Sequence, residues 1–309
     1  MSNEVSIATL KQTAGPGVAK AAARKRKKRT STAIGSSRQP GTFNYAFLVI
    51  LIVLSAAPLY YAFLLASSNA VHIAQNPIPS LIPQGQFFEN IQRVRDSGLD
   101  LIGALTNSIL VAVITSLSVV FFSTLAGFAF SKLRFRGREG LLTFVIATMA
   151  IPAQLGVIPL FMVMAKLGWT GELKAVIIPA MVSAFGVFWM TQYIRDALPY
   201  ELVESARVDG ASLFRVFWSV ALPTARPAAS MLGLFTFVGS WTNFFWPFIV
   251  LGASKPTLPV ALQLLQASYF KDYSLIMTGV VIATVPLLLL FFFAGRQLVS
   301  GIMQGAVKG

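Results

Sequence analysis

Cysteine is absent from this 309-residue chain, and histidine occurs once, as His72. The first absence excludes a disulfide framework and any thiolate metal site. The second excludes a His-Glu-x-x-His zinc site and a serine–histidine pair inside the apolar segments. Acidic residues are few, 11 against 25 Lys and Arg, and all lie outside the long apolar runs or at their edges. An ion-coupled pump keeps ionisable groups within its spans as a relay, and no such relay is visible here. The dipeptide Gly-Lys occurs nowhere, so no phosphate-binding loop carries a lysine after its glycine. The chain has no evident energy source of its own.

What is abundant is apolar sequence. Hydrophobic residues make up 55% and charged residues 12% of the chain, with a mean hydropathy of +0.70. These values lie far from those of a water-soluble domain of this length. Six runs are long enough to cross a bilayer, at about twenty residues each: 44–66, 101–131, 141–165, 175–193, 228–251 and 273–298. The second exceeds the need and is expected to tilt or to extend beyond the membrane. Prolines fall in five of the six, at Pro58, Pro152 and Pro159, Pro179, Pro247 and Pro286. The fold class read from this pattern is an all-α integral membrane protein with six transmembrane helices.

The net charge of +14 would suit nucleic acid or an anionic membrane, and its distribution selects the membrane. Residues 1–42 hold Lys11, Lys20, the unbroken run Arg24 to Arg29, and Arg38, with almost no large side chain to bury. This predicts a disordered basic tail before a six-helix domain over 43–309. The run from Tyr45 to Ala66 exceeds the core of a signal peptide, so tail and span are expected to stay attached. With both termini in the cytoplasm, the inner segments carry 19 basic residues and the outer ones 6. That asymmetry places the 196–227 segment in the cytoplasm, between the fourth and fifth spans.

This segment, DALPYELVESARVDGASLFRVFWSVALPTARP, is the one long polar island between apolar runs. Pro199 suits a helix start, and Glu201 and Glu204 suit the positive end of a helix dipole. Leu202 and Ala206 share one helical face. Asp209-Gly210 reads as a stop, because glycine accepts the left-handed conformation. Ser212 can cap a second short helix carrying Leu213, Val216, Phe217 and Val220, which Pro223 and Pro227 then close.

Glu204-Ser205-Ala206, three residues, Gly210, nine residues, then Val220-Ala221-Leu222-Pro223 resembles the Glu-Ala-Ala (EAA) loop of binding-protein-dependent ABC importer permeases. The departures from that pattern are Ser205 and Val220. Pro199-x-Glu201-Leu202 and Asp209-Gly210-Ala211-Ser212 are similar to the carbohydrate-importer branch, specifically the smaller maltose-type permease. The C-terminal Gln304 to Gly309, the helical-looking Phe88–Val94 stretch and Asn107-Ser108 resemble it too, so the likeness runs from Asn44 to Gly309. The resemblance implies an ABC importer type I permease fold in a bacterial inner membrane. It implies a second permease subunit, a dimer of ATP-binding subunits and an extracytoplasmic sugar-binding protein as partners. ATP and Mg would then be bound by the ATPase partner, with no cofactor in this chain. The first island helix would act as a coupling helix. Glu204 would pair with a basic or amide group of the ATPase, Ser205 and Ala206 would permit close approach, and Gly210 would permit the corner. The loop 252–272 resembles the segment that reaches into the sugar-binding protein.

For substrate, Trp241-Thr242-Asn243-Phe244-Phe245-Trp246-Pro247 offers aromatic faces, a hydroxyl and an amide together. The same tryptophans also suit anchoring at the membrane surface. Gln154 and Gln192 are polar groups within spans, available to a solute or to a neighbouring helix. The resemblance points to a di- or oligosaccharide. A permease for glycerol phosphate or a peptide, an ion-coupled transporter and a membrane anchor are the other readings.

Overall fold

A polypeptide in hydrocarbon has to satisfy its own backbone groups, and the helix does so within one segment. The structure, a computed structural model, describes residues 41–306 except Pro77, Pro79, Phe270 and Lys271; every element described is helical. Residues 1–40 of the basic tail and the last three residues of the Gln304–Gly309 likeness, Lys308 among them, lie outside the described residues. The chain divides into two compact units, Met1–Ala57 and Pro58–Gly309. The described part of the first unit begins α1 (Thr42–Ala66), whose side chains through Tyr61 are exposed and mostly apolar.

In the second unit α1 is followed by two short helices, α2 (Ala70–Gln75) and α3 (Phe87–Asp96), and then by α4 (Leu101–Lys132). Asp100 caps α4, accepting a hydrogen bond from the N–H of Gly103. The third expected span is broken. α5 (Arg138–Thr148) and the stretch containing a 3₁₀ turn and α6 (Val157–Lys166) meet at 89°. The fourth divides into α7 (Lys174–Ala180) and α8 (Ala184–Ala197), with Ser183 capping the second piece. The island follows as α9 (Tyr200–Val208) and α10 (Leu213–Val216). α11 (Leu222–Trp241), α12 (Phe245–Leu251), α13 (Leu258–Ser268) and α14 (Tyr273–Ala306) complete the order. Four helices are long and apolar enough to cross a membrane, or six when each bent pair counts as one span.

α4 is the central post, packing on α8 and α11 over most of its length and on α13 near its start. Small residues allow this approach. A Cβ on Gly127 would stand 2.8 Å from backbone and side-chain atoms of Met190, and one on Gly186 would collide with the Ser123 hydroxyl. The largest core cluster sits where α4, α8, α9 and the foot of α11 converge, around Phe128, Met190, Ile194, Leu198, Val203 and Phe217.

Two further elements differ from expectation. Pro223 and Pro227 do not close the island's second helix, because the helix continues through both to Trp241. A single π turn, Phe217–Ala221, precedes them and widens the helix where the Pro223 ring would otherwise meet the carbonyl of Ser219. The expected loop 252–272 is mostly α13, with Leu258, Val260, Ala261 and Leu265 buried. Its first peptide is held by α4: Ser108 Oγ accepts from the Leu258 N–H at 2.7 Å, and Asn107 Nδ2 donates to the Pro256 carbonyl at 3.0 Å.

At that same end, two charge pairs fasten the short elements. Lys255 Nζ lies 2.9 Å from Glu172 Oε2, and this hydrogen bond with the lysine charge holds the Glu172 carboxyl below its ordinary pKa. Arg93 of α3 pairs with Asp272 ahead of α14. Burial works to raise the pKa of Asp272, yet hydrogen bonds from Ser274, Arg93 and the Leu275 N–H outweigh it, and the net direction is down. Buried Asn90 completes the network, donating to the carbonyls of Ala66 and Ser68 and accepting from Arg93.

Candidate functional site

Two features outside the core carry chemistry: the island at one end of the helices, and a cleft within them. In the island, Pro199 occupies the N-cap of α9 and Glu201 its first turn. Ser205 donates its hydroxyl to the Glu201 carbonyl at 2.8 Å, a bond one turn back that satisfies the side chain locally. Gly210 has φ +81, where a side chain is disfavoured, and the chain turns there. Ser212 then caps α10, accepting from the Arg215 N–H at 3.3 Å.

The face that α9 buries is centred on Val203, 4% exposed, with Ala206 half-buried beside it. Leu202 points outward instead, at 51% exposure. Val203 was not singled out by the sequence, although its i, i+3 spacing to Ala206 carried the signal. Glu201, Glu204 and Asp209 are exposed, and no ion pair among the described residues engages them. Val208, Phe214 and Trp218 are exposed too, so the island offers a mixed acidic and apolar surface. Leu222 and Pro223 are half-buried at the foot of α11.

The end of α4 holds this segment in place. Lys132, 7% exposed, donates from Nζ to the Arg195 carbonyl of α8 at 3.1 Å. Arg134 lies over the ring of Tyr200, the first residue of α9, 5.3 Å from its centroid. Sequence reading counted both only as positive charge, since their partners are distant in the chain.

The cleft, about 340 Å³, is walled by α4, α7, α8 and α11. Its lining contains Thr115, Ser183, Phe185, Phe235, Thr236, Ser240 and Asn243, and no charged side chain. Thr115 Oγ1 is buried without a hydrogen-bond partner among the described residues. Ser183 and Thr236 have their hydroxyls engaged, by the Gly186 N–H and the Leu232 carbonyl. Phe185 and Phe235 of the wall both pack on Trp189, with ring centroids 5.9 and 6.5 Å away.

Of the residues expected along a substrate path, Asn243 lines this cleft, at the break between α11 and α12. Trp241 does not: it is 3% exposed, stacked on Phe237, and its indole N–H donates to the Ala283 carbonyl of α14. Phe244 stacks on Phe248. Gln154 lies exposed in the 3₁₀ turn of the broken third span, and Gln192 is half-buried on α8. Trp246 donates to the Ala175 carbonyl at 3.0 Å, a helix-to-helix contact. His72 sits on α2 within hydrogen-bond distance of Gln84. Thr115, Ser240, Phe185 and Phe235 were missed because single hydroxyls and phenylalanines in apolar runs look like ordinary membrane sequence.

Comparison with known proteins agrees with this architecture. The arabinooligosaccharides transport system permease protein AraQ of Halalkalibacterium halodurans is 33% identical over 204 residues, which cover 66% of this chain and 73% of that one. The sn-glycerol-3-phosphate transport system permease protein UgpE of Brucella abortus is 28% identical over 269 residues, 84% of this chain and 95% of that one. A crystal structure of a bacterial ABC transporter involved in the import of the acidic polysaccharide alginate contains a chain with the same fold. The two superpose with a TM-score of 0.69 at 23% identity, over 85% of this chain and 99% of that one. Residues 120–300, from the middle of α4 into α14, match the family described as binding-protein-dependent transport system inner membrane component, and this chain belongs to that family.

Proposed function

We propose that this chain is one permease half of an ATP-driven importer for an uncharged sugar, a di- or oligosaccharide. Both termini and the 196–227 loop face the cytoplasm, as the excess of basic residues on that side supports. The outer ends receive the sugar from an extracytoplasmic binding protein, and a second permease supplies the other half of the pore. ATP and Mg are held by a pair of cytoplasmic ATPase subunits; this chain has no ATPase site and no nucleic-acid role. Its part is to transmit motion: α9 seats on the ATPase, with Glu204 reaching a basic or amide group there. Ser205 and Ala206 keep the contact close, and Gly210 keeps the corner. Glu201, Leu202 and Asp209 complete the docking face, while Leu222 and Pro223 carry the motion into the foot of α11.

The observation that carries this reading is the island itself, whose exposed carboxylates and apolar side chains stand on a short helix wedged by Val203 into the span-bearing core. Nucleotide can drive the pore only through different affinities for its two states, so a helix fixed to the spans is what such coupling needs. The substrate class rests on the cleft. Aromatic walls with free hydroxyl and amide groups suit a saccharide, and Asn243, Thr115 and Ser240 supply them. A phosphate or uronate would lie there without a cation, at the desolvation penalty of an unpaired charge. This separates the proposal from a glycerol-phosphate permease. Trp241 supports the path from behind, as a packing residue.

The test is reconstitution of the complete complex in vesicles with its binding protein. Glu204→Lys is expected to abolish uptake, and Asn243→Ala to weaken uptake of a neutral oligosaccharide. Uptake by the purified single chain without an ATPase, or unchanged uptake by Glu204→Lys, refutes the coupling role. Preferred uptake of a phosphorylated solute refutes the substrate class.

A further inference from the structure

The island is held from outside its own segment, by the last residues of the second span. α4 ends at Lys132, and the three residues 132–134 each grip a different part of the coupling region. Lys132 Nζ donates to the carbonyl of Arg195, in the final turn of α8, at 3.1 Å. Carbonyls at a helix C-terminus lack intrahelical donors and carry the negative end of the dipole, so an ammonium group there is doubly favoured. Leu133 packs on the core cluster that contains Leu198 and Val203. Arg134 lies over the Tyr200 ring, at the start of α9. Of the charges acting on Lys132, Arg195 repels it, while Asp196 and Glu201 of the island attract it.

We infer that Lys132 and Arg134 are positioning residues for energy coupling: they fasten the coupling helix to the second span, so that α4, α8 and α9 move as one piece. The inference rests on the coupling role proposed above for α9. Lys132 is buried, at 7% exposure, and its one acceptor among the described residues is a main-chain carbonyl, not a carboxylate. A buried ammonium so placed fixes the helix end in position and direction, which a surface ion pair to Asp196 would not. Arg134, by contrast, is exposed, and its ring contact acts as a second, weaker point of attachment. Two points separated along the chain fix the angle of α9 as well as its location.

The measurement is sugar taken up per ATP hydrolysed by the intact, reconstituted complex with its binding protein. Removing a charge-assisted hydrogen bond releases enough restraint that Lys132→Met is expected to lower this ratio about tenfold. ATP hydrolysis itself is expected to continue, and Lys132→Arg to restore most of the ratio, since guanidinium reaches the same carbonyl. Arg134→Ala is expected to lower it about threefold, the scale of an exposed cation–π contact. As Arg134 is exposed, its loss leaves folding intact, and combining it with Tyr200→Ala is expected to add nothing further. Three results overturn the inference: an unchanged ratio in Lys132→Met, a loss of uptake that only follows the amount of assembled complex, or additive effects of Arg134→Ala and Tyr200→Ala. If Glu204→Lys uncouples the complex while Lys132→Met and Arg134→Ala do not, only the clamp fails. If Glu204→Lys does not uncouple it, the coupling role itself fails.

Discussion

Replacing Gly127 with alanine tests the packing on which the proposed coupling depends. Gly127 lies on α4 against α8, and a Cβ there would stand 2.8 Å from the Met190 carbonyl carbon and Cβ and 2.9 Å from the Thr191 nitrogen. Ordinary contact begins at 3.4 Å, so α8 would have to retreat by about 0.6 Å or more. Two of the three atoms are backbone and cannot rotate aside. Met190 and Thr191 are both fully buried, so there is no slack behind them. Overpacking of this kind costs about 1–3 kcal/mol, against a gain of about 1 kcal/mol for alanine over glycine in a helix. The net is a destabilisation of up to about 2 kcal/mol. Gly140→Ala is the matched control, the same change on α5 with nothing within 4 Å of the added carbon. It is expected to be neutral or stabilising, by about 1 kcal/mol at most. The assay is thermal unfolding of the detergent-solubilised complex, read by intrinsic fluorescence, with transport measured in parallel. Gly127→Ala is expected to unfold at lower temperature and to lose transport, because α8 leads directly into the coupling helix. Equal stability of the two variants refutes the close-contact argument.

Three further outcomes follow from particular bonds. Ser108→Ala leaves the buried Leu258 N–H without an acceptor and is expected to destabilise by about 1–3 kcal/mol, measured by the same unfolding assay. Gly210→Ala meets no neighbouring atom and is strained only in its backbone, at φ +81; a penalty of about 1 kcal/mol is expected, with a measurable fall in sugar moved per ATP. Asp272 has a native pKa below its ordinary 3.8, so it favours the folded state once the unfolded carboxyl is ionised. That contribution is lost as pH falls below 3.8 through the native value. Asp272→Asn is expected to flatten the acid limb of a stability-versus-pH profile, and an unaltered limb counts against the Arg93–Asp272 pair.

The residues show why some of the fold was legible and some was not. Spans declare themselves by hydropathy, and α1, α4 and α14 begin within two residues of expectation. Hydropathy averages over a window and is blind to direction, so the 89° bend between α5 and α6 left no mark in it. Pro152 sits at that bend, yet Pro286 lies within α14 without ending it. Proline alone therefore does not report a break. The island was legible because its signals are local: Pro199, Gly210 and Ser212 act within one turn of the chain. α13 was missed although Thr257 and the Leu258-Pro259-Val260-Ala261-Leu262 run resemble a helix start, because a short apolar helix imitates a loop between spans. Lys132 and Arg134 could not be assigned partners from sequence, their contacts lying 63 and 66 residues away.

The cleft and the broken helices have a common cause. Non-helical backbone at membrane depth is tolerated where it lines a cavity or is buried in protein. Two interruptions, after Ala180 and after Trp241, meet at the cleft, and Ala180, Ser183, Ser240 and Asn243 at those interruptions all line it. Each break brings a polar residue to the wall, and α4 contributes Thr115, whose hydroxyl has no partner among the described residues. The helical stretches on either side of Asn243 meet at 54°, and Asn243 sits in that break. The same bend is what a moving island could alter, since α11 and the π turn at its foot run without interruption from the island to Trp241. In the coupling proposed above, motion of the island would reach the wall that carries Ser240 and Asn243 by way of α11.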